Sequence, residues 1–161
     1  TGNIDFTGTD KMTVWAGVTK LSDALAVIFE LGDNWNSNSG SFLLYNDYAS
    51  FTYYSGSRGD GPANGLAQSI VGEVNTSVLA TTHDIPGDLS TIRRNGIPGV
   101  DGIADKGAGS FGNYPLYIGA RAGTSLYFNG RLYSLIVLGA QSNLSQIEAA
   151  ERYIKQKMRL P

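Results

Sequence analysis

The chain has 161 residues, 42% of them hydrophobic and 16% charged, with a net charge of −2 and no cysteine. That suffices for one domain with a real core and is too little for two; it excludes a disordered chain, a disulfide framework and a thiolate metal site. No basic block and no membrane-length apolar run occur, so the sequence offers neither a nucleic-acid footprint nor membrane insertion.

The 21 glycines and 9 tyrosines favour an all-β fold with many turns. Residues 12–21 read as a first strand, with Met12, Val14, Ala16 and Val18 on one face and Thr13, Trp15 and Gly17 on the other. Residues 24–31 form a nearly continuous apolar strand, expected to be central. A polar loop over 33–40 follows, then strands over 41–46 and 50–54, and a Gly-rich loop over 55–65. Residues 77–82 are a fifth strand and 84–88 a turn. Residues 89–94 meet Ile97 through Asn95-Gly96, which supplies the positive φ angles of a type I′ hairpin. The segment 98–113 is the longest loop. Residues 116–120 and 131–139 complete the strands, with 126–128 a short one between them.

The C-terminus reads as a helix. Ser145 and Glu148 have capping-box spacing, with Leu144 placed to staple onto Ala149. Ile147, Ala150, Ile154 and Met158 line one face, and Lys155, Lys157 and Arg159 suit the negative end of the dipole.

The segments Leu116–Arg121 (LYIGAR) and Phe128–Gly139 (FNGRLYSLIVLG), followed by the capped helix, resemble the end of a laminin-G-like domain. That domain belongs to the concanavalin A-like lectin/glucanase superfamily, in the form met in phage tail and other virion proteins. Residues 12–20, 75–84 and 89–97 match further strands of that pattern, so the resemblance spans most of the chain. It implies one domain over residues 1–161: a concanavalin A-like jelly-roll β-sandwich of two antiparallel sheets with one C-terminal α-helix. The chain begins at Thr1 and is read as a processed product or a domain excised from a longer chain.

Glucanases of this superfamily carry Glu-x-Asp-x-Glu on one strand. This chain has four glutamates, Glu30, Glu73, Glu148 and Glu151, and none has an acidic neighbour two residues away. No catalytic residue is assigned. His83, the single histidine, is read as a surface residue at a strand end rather than a general base or metal ligand. Asp33, Asn34, Asn36 and Asn38 around Trp35 are the main binding candidates: amides and carboxylates suit sugar hydroxyls, and an indole suits a pyranose face. Trp35 either stacks on a ligand or folds back onto the sandwich. Tyr45, Tyr48, Tyr53 and Tyr54, with Arg58 beyond, make a second surface, Tyr53 and Tyr54 pointing to opposite faces. Arg121, just past a strand, suits the carboxylate of an acidic sugar. The superfamily resemblance implies calcium (Ca2+) at a rim site; Asp33, Asp84, Asp101 and Asp105 are the candidate ligands, and no spacing singles them out. Arg58-Gly-Asp60 and the acceptor patterns at Asn75 and Asn143 are discounted as coincidences.

The reading is a non-catalytic carbohydrate-recognition module of a phage tail or tailspike, binding a bacterial surface polysaccharide or oligosaccharide in a virion or extracellular setting. The alternatives are a structural module that trimerises or docks on other virion proteins, and a glycoside hydrolase or polysaccharide lyase.

Overall fold

The computed structural model describes residues 2–47, 52–62, 65–69 and 76–160. The strands are β1 (Asn3–Asp5), β2 (Lys11–Lys20), β3 (Ala26–Leu31), β4 (Ser41–Asn46), β5 (Tyr53–Arg58), β6 (Gly65–Gln68), β7 (Thr76–Asp84), β8 (Leu89–Arg94), β9 (Ile97–Pro98), β10 (Asn113–Ile118) and β11 (Gly130–Leu138). One helix, α1 (Leu144–Met158), follows. Every strand pair is antiparallel. One sheet has the order β1-β10-β3-β4-β5-β6 and the other β11-β2-β7-β8-β9. The chain is a jelly-roll sandwich, as the superfamily resemblance implies.

Alternation builds the core. Met12, Val14, Ala16 and Val18 of β2 face inward against Phe29, Leu31, Phe42, Leu44 and Leu116 of the facing sheet. Their β2 neighbours face outward, where Trp15 joins Val78 and Ala80 beneath Ile147 and Ile154 of α1. Complete burial of a side chain such as Ile154 contributes about 2 kcal/mol. Gly17 is where the helix comes closest: a Cβ there would lie 2.5 Å from Met158 Sδ and 2.7 Å from Ile154 Cγ2.

The helix starts earlier than the serine cap predicts. Asn143 is the N-cap, its Oδ1 accepting from the Gln146 N–H at 3.0 Å while Gln146 Oε1 accepts from the Asn143 N–H at 2.9 Å. Asparagine caps as well as serine, so the helix gains two residues. Leu144 becomes its first residue, 56% exposed, and is no staple.

Strand β5 runs on to Arg58, through residues expected to loop, because Gly56 opens a slot for neighbouring side chains. A Cβ at Gly56 would sit 2.7 Å from Leu66 Cδ2 and 3.2 Å from Trp35 Cζ3. Residues 126–128 do not form a strand: Leu126 has φ of +48°. The Asn95-Gly96 hairpin forms as expected, with φ of +55° and +87°. The long 98–112 segment is tied to both sheets, Val100 pairing with Gln68 and Gly102 with Ser90. It carries Lys106 into the interior, fully buried, where desolvation brings the ammonium pKa down to about 8.

Gly17→Ala is expected to lower stability by about 1–3 kcal/mol through overpacking under α1. Gly17→Ala combined with Met158→Ala recovers part of that loss. Urea unfolding of the two variants against the native chain checks it.

Candidate functional site

The site is built from the β3 strand outward. Of its six residues, Ala-Val-Ile-Phe-Glu-Leu, one is charged, and all are buried. The β3–β4 register shifts between Val27 and Phe29. The extra residue lets Ile28 and Phe29 both reach the core. Val27 and Glu30 therefore share the outer face, although they are three positions apart; such re-aiming is what a β-bulge does.

Glu30 is completely buried and makes two bonds. Its Oε1 accepts from the Trp35 backbone N–H at 2.8 Å, and its Oε2 pairs with Arg121 Nε at 3.2 Å. Burial raises its pKa, against the pull of the Trp35 amide and the Arg121 charge. The 32–40 loop turns back over the sheet from this anchor. Asn34 caps the turn, its carbonyl accepting from the N–H groups of Ser37 and Asn38 and its side chain from the Asn36 N–H at 3.1 Å. Trp35, 5% exposed, lies against Gly56. Of the two orientations open to it from sequence, the indole takes the one folded back onto the sandwich, on the outer face of the six-stranded sheet.

Arg121 arrives from the other side. Thr124 N–H bonds the Arg121 carbonyl at 2.9 Å, closing a turn whose central residues Ala122 and Gly123 have φ of +49° and +71°. Leu126, also at positive φ, accepts from the Val27 N–H at 2.9 Å. Two non-glycine residues in the left-handed region cost about 1–2 kcal/mol each, and both flank the cavity. The Arg121 side chain is 24% exposed, and among the described residues its terminal nitrogens make no hydrogen bond.

Together these elements enclose a cavity of about 400 Å³ lined by Leu25, Val27, Trp35, Asn36, Tyr45, Asp47, Leu66, Arg121 and Leu126. Its walls are mostly apolar, with an arginine, a carboxylate, an amide and a phenol converging on it, the composition of a small-molecule pocket. Tyr45 stands in register with Val27 on one side and Tyr54 on the other. Its hydroxyl pKa is pushed up to about 12, by burial first and then by Asp47 and Tyr54.

The sequence candidates separate on this frame. Trp35, Asn36 and Arg121 line the cavity. Asp33, Asn34 and Asn38 do not: Asp33 accepts from the Tyr117 hydroxyl at 2.7 Å, Asn34 shapes the turn, and the Asn38 carbonyl accepts from the Ser41 hydroxyl at 2.6 Å. Arg58 sits opposite Ser41 at the far end of β5, away from the lining. Tyr48 and Asn75 lie outside the described residues. Val27, Leu25, Asp47, Leu66 and Leu126 were not candidates from sequence, and Glu30 was considered only as a catalytic acid.

Among the described residues, no three acidic or histidine side chains gather to hold a metal ion. Asp84 pairs with Lys11 and accepts from the Gly87 N–H. Asp105 accepts from the Gly107 N–H at 2.8 Å. His83 is not at the surface as expected but wholly buried, stacked on Phe42 at 6.1 Å between ring centroids. Its Nε2 and Nδ1 share hydrogen bonds with the hydroxyls of Ser55 at 3.2 Å and Ser90 at 3.1 Å. Burial, helped by the Lys106 charge, lowers its pKa to about 3, so the ring is a neutral core member.

No family model matches the sequence, and no curated protein is found similar to it. Solved structures do match in shape. The CBM40 of the Ruminococcus gnavus IT-sialidase, bound to α2,3-sialyllactose, superposes with a TM-score of 0.66 at 17% identity, over 92% of this chain and 91% of that one. The SAP-like pentraxin of Limulus polyphemus gives 0.67 at 15%, over 89% and 70%. The NanB sialidase of Streptococcus pneumoniae gives 0.68 at 15%, over 91% of this chain and 26% of that one, so the chain spans about a quarter of that enzyme. The fold is the concanavalin A-like jelly roll that these lectin-type domains share.

Two outcomes test this architecture. Glu30→Ala leaves Arg121 and the Trp35 amide without their partner and is expected to cost about 3 kcal/mol, the low end for a broken buried pair because Arg121 reaches water. Urea unfolding reads the loss, and a red shift of the tryptophan emission marks the loosened loop. The unfolded chain protonates His83 near pH 6.5 while the folded chain resists to about 3. Stability from this residue is therefore complete above pH 6.5 and falls as the pH drops towards 3. His83→Gln, which does not titrate and whose amide can still reach Ser55, is expected to flatten that acid limb in unfolding curves at pH 7, 5 and 4.

Proposed function

We propose that the domain is a non-catalytic carbohydrate-recognition module whose binding site is the Trp35–Tyr45–Arg121 cavity, and that the sugar it anchors there carries a carboxylate. The observation that carries this reading is Arg121. Glu30 engages its Nε, Arg121 lines the cavity, and among the described residues its terminal nitrogens make no hydrogen bond. A guanidinium held in this way suits a carboxylate. Around it the partly exposed Leu25, Tyr45, Leu66 and Leu126 give apolar surface, and Asn36 and Asp47 add polar groups to the lining. Binding of sialyllactose by the CBM40 modules, on the same fold, supports the same class of ligand.

Glu30 does not fit a catalytic role in this reading, because both its oxygens are engaged and no part of it is exposed. The sequence resemblance supports placement in a phage tail or tailspike, the ligand then being an acidic polysaccharide of a bacterial surface. A virion or extracellular location belongs to the same proposal.

Binding to acidic and neutral oligosaccharides, sialyllactose and lactose among them, tests it by calorimetry. The expected result is saturable binding of an acidic sugar and weak or no binding of its neutral counterpart. Arg121→Ala is expected to weaken that binding about 10- to 100-fold, the worth of a charge-assisted pair. Equal binding of acidic and neutral sugars, or an Arg121→Ala domain that binds as the native one does, overturns the assignment.

A further inference from the structure

The surface that could hold a sugar does not stop at the cavity. Tyr54 on β5 stands opposite Tyr45 on β4, and the two rings stack at 5.3 Å between centroids with 17° between planes. Rings stacked across adjacent strands cover one face of each other, and among the described residues no ring stacks on the other face of either. The free face of Tyr45 turns towards β3 and the cavity; that of Tyr54 turns towards β6. There Gln68 is the register partner of Tyr54. Both residues are half-buried, and among the described residues neither the Gln68 amide nor the Tyr54 hydroxyl makes a hydrogen bond. A flat π face beside an unengaged amide is the pairing that a pyranose uses, its C–H face on the ring and its hydroxyls on the amide.

The row Val27–Tyr45–Tyr54–Gln68 crosses four neighbouring strands. Three inter-strand spacings make about 14 Å, longer than one sugar ring. Neither Tyr54 nor Gln68, at its β6 end, is charged, in contrast to Arg121 at the other.

We propose that the free face of Tyr54 and the amide of Gln68 form a second subsite for a neutral sugar, so that the ligand is an oligosaccharide lying across the strands with its acidic residue at Arg121. This rests on the reading of the Arg121 cavity as a carbohydrate site. It adds that a lone terminal sugar fills only half of the surface.

The test compares free sialic acid with α2,3-sialyllactose by calorimetry on the whole domain. The native domain is expected to bind the trisaccharide about tenfold more tightly than the monosaccharide, the worth of one aromatic contact with its hydrogen bond. Tyr54→Ala and Gln68→Ala are each expected to remove most of that difference while leaving the monosaccharide affinity unchanged, and Tyr54→Phe to retain it. Arg121→Ala weakens both ligands. Equal affinity of the native domain for the two ligands overturns the subsite, as does a trisaccharide affinity untouched by both alanine variants. If Tyr54→Ala weakens both ligands alike, Tyr45 has lost its support and Gln68→Ala decides: a selective loss of trisaccharide sustains the subsite, and no loss overturns it. If neither ligand binds the native domain, the reading of the Arg121 cavity fails and the subsite falls with it.

Discussion

The carboxylate of Glu30 is the constraint on which the outer face depends. A charge with no exposed surface is tolerated only if its lone pairs are filled, and here two remote pieces of chain fill them. The Trp35 amide ends one loop and the Arg121 guanidinium begins another. Neither loop has a hydrophobic strand to hold it, so the buried acid sets where both come to rest. The cavity is the space left between them. Its shape is therefore decided by one residue that does not line it, and replacing that residue alters the loop and the arginine together.

The interior holds polar side chains as well as apolar ones. Ser55, Ser57, Ser90, His83 and Lys106 are all buried, on or beside the strands nearest β6 and β8. The serines satisfy the imidazole from both sheets, which fixes the depth at which β5 approaches β7 and β8. Lys106 enters only because glycines admit its loop: a Cβ at Gly61 would lie 2.3 Å from the Gly107 nitrogen, and one at Gly65 would lie 3.1 Å from Lys106 Nζ. The contacts of Ser55 and Ser90 with the imidazole specify register more than they add stability. They hold β5 and β6 in place, and those strands carry Tyr54 and Gln68 on their other side.

What could be read from the sequence follows from how local each signal is. Periodicity gave the inward face of β2, the apolar face of α1 and the Asn95-Gly96 hairpin, because each is settled within a few residues. The limits of β4 and β8 match the expectation, since turn residues bound both: Gly40 before β4, and Gly87-Asp88 and Asn95-Gly96 around β8. The edge strands β1 and β6 were missed: at three and four residues they are too short to show a period. The bulge in β3 was invisible for another reason. The apolar run over 26–29 looks alike whether Ile28 faces in or out, and only the pairing with β4 decides. Glu30 did carry a signal. One carboxylate in a six-residue strand of otherwise apolar side chains must be partnered, and an arginine just past a strand was already a candidate. His83 was misplaced because its neighbours in sequence, Thr82 and Asp84, are polar, while the residues that enclose it come from β4, β5 and β8.

The helix determines which side of the sandwich is open. Both sheets present outer faces with buried-type residues, Trp15, Val78 and Ala80 on one and Val27, Leu43 and Tyr45 on the other. Helix α1 seals the first, with Gly17 allowing close approach. The second receives no helix. A tryptophan on a hydrogen-bonded loop lies over Gly56, and Tyr45, Tyr54 and Gln68 remain half-buried. A surface that is partly apolar, partly aromatic and ringed by one arginine and one carboxylate is stable in water only because its polar groups stay hydrated. Such a surface gains most from a ligand that is itself amphipathic, apolar on its ring faces and polar at its rim, as the carbohydrate proposed above is. The fold closes one face with its own helix and, among the described residues, leaves the other to the loops that frame the cavity.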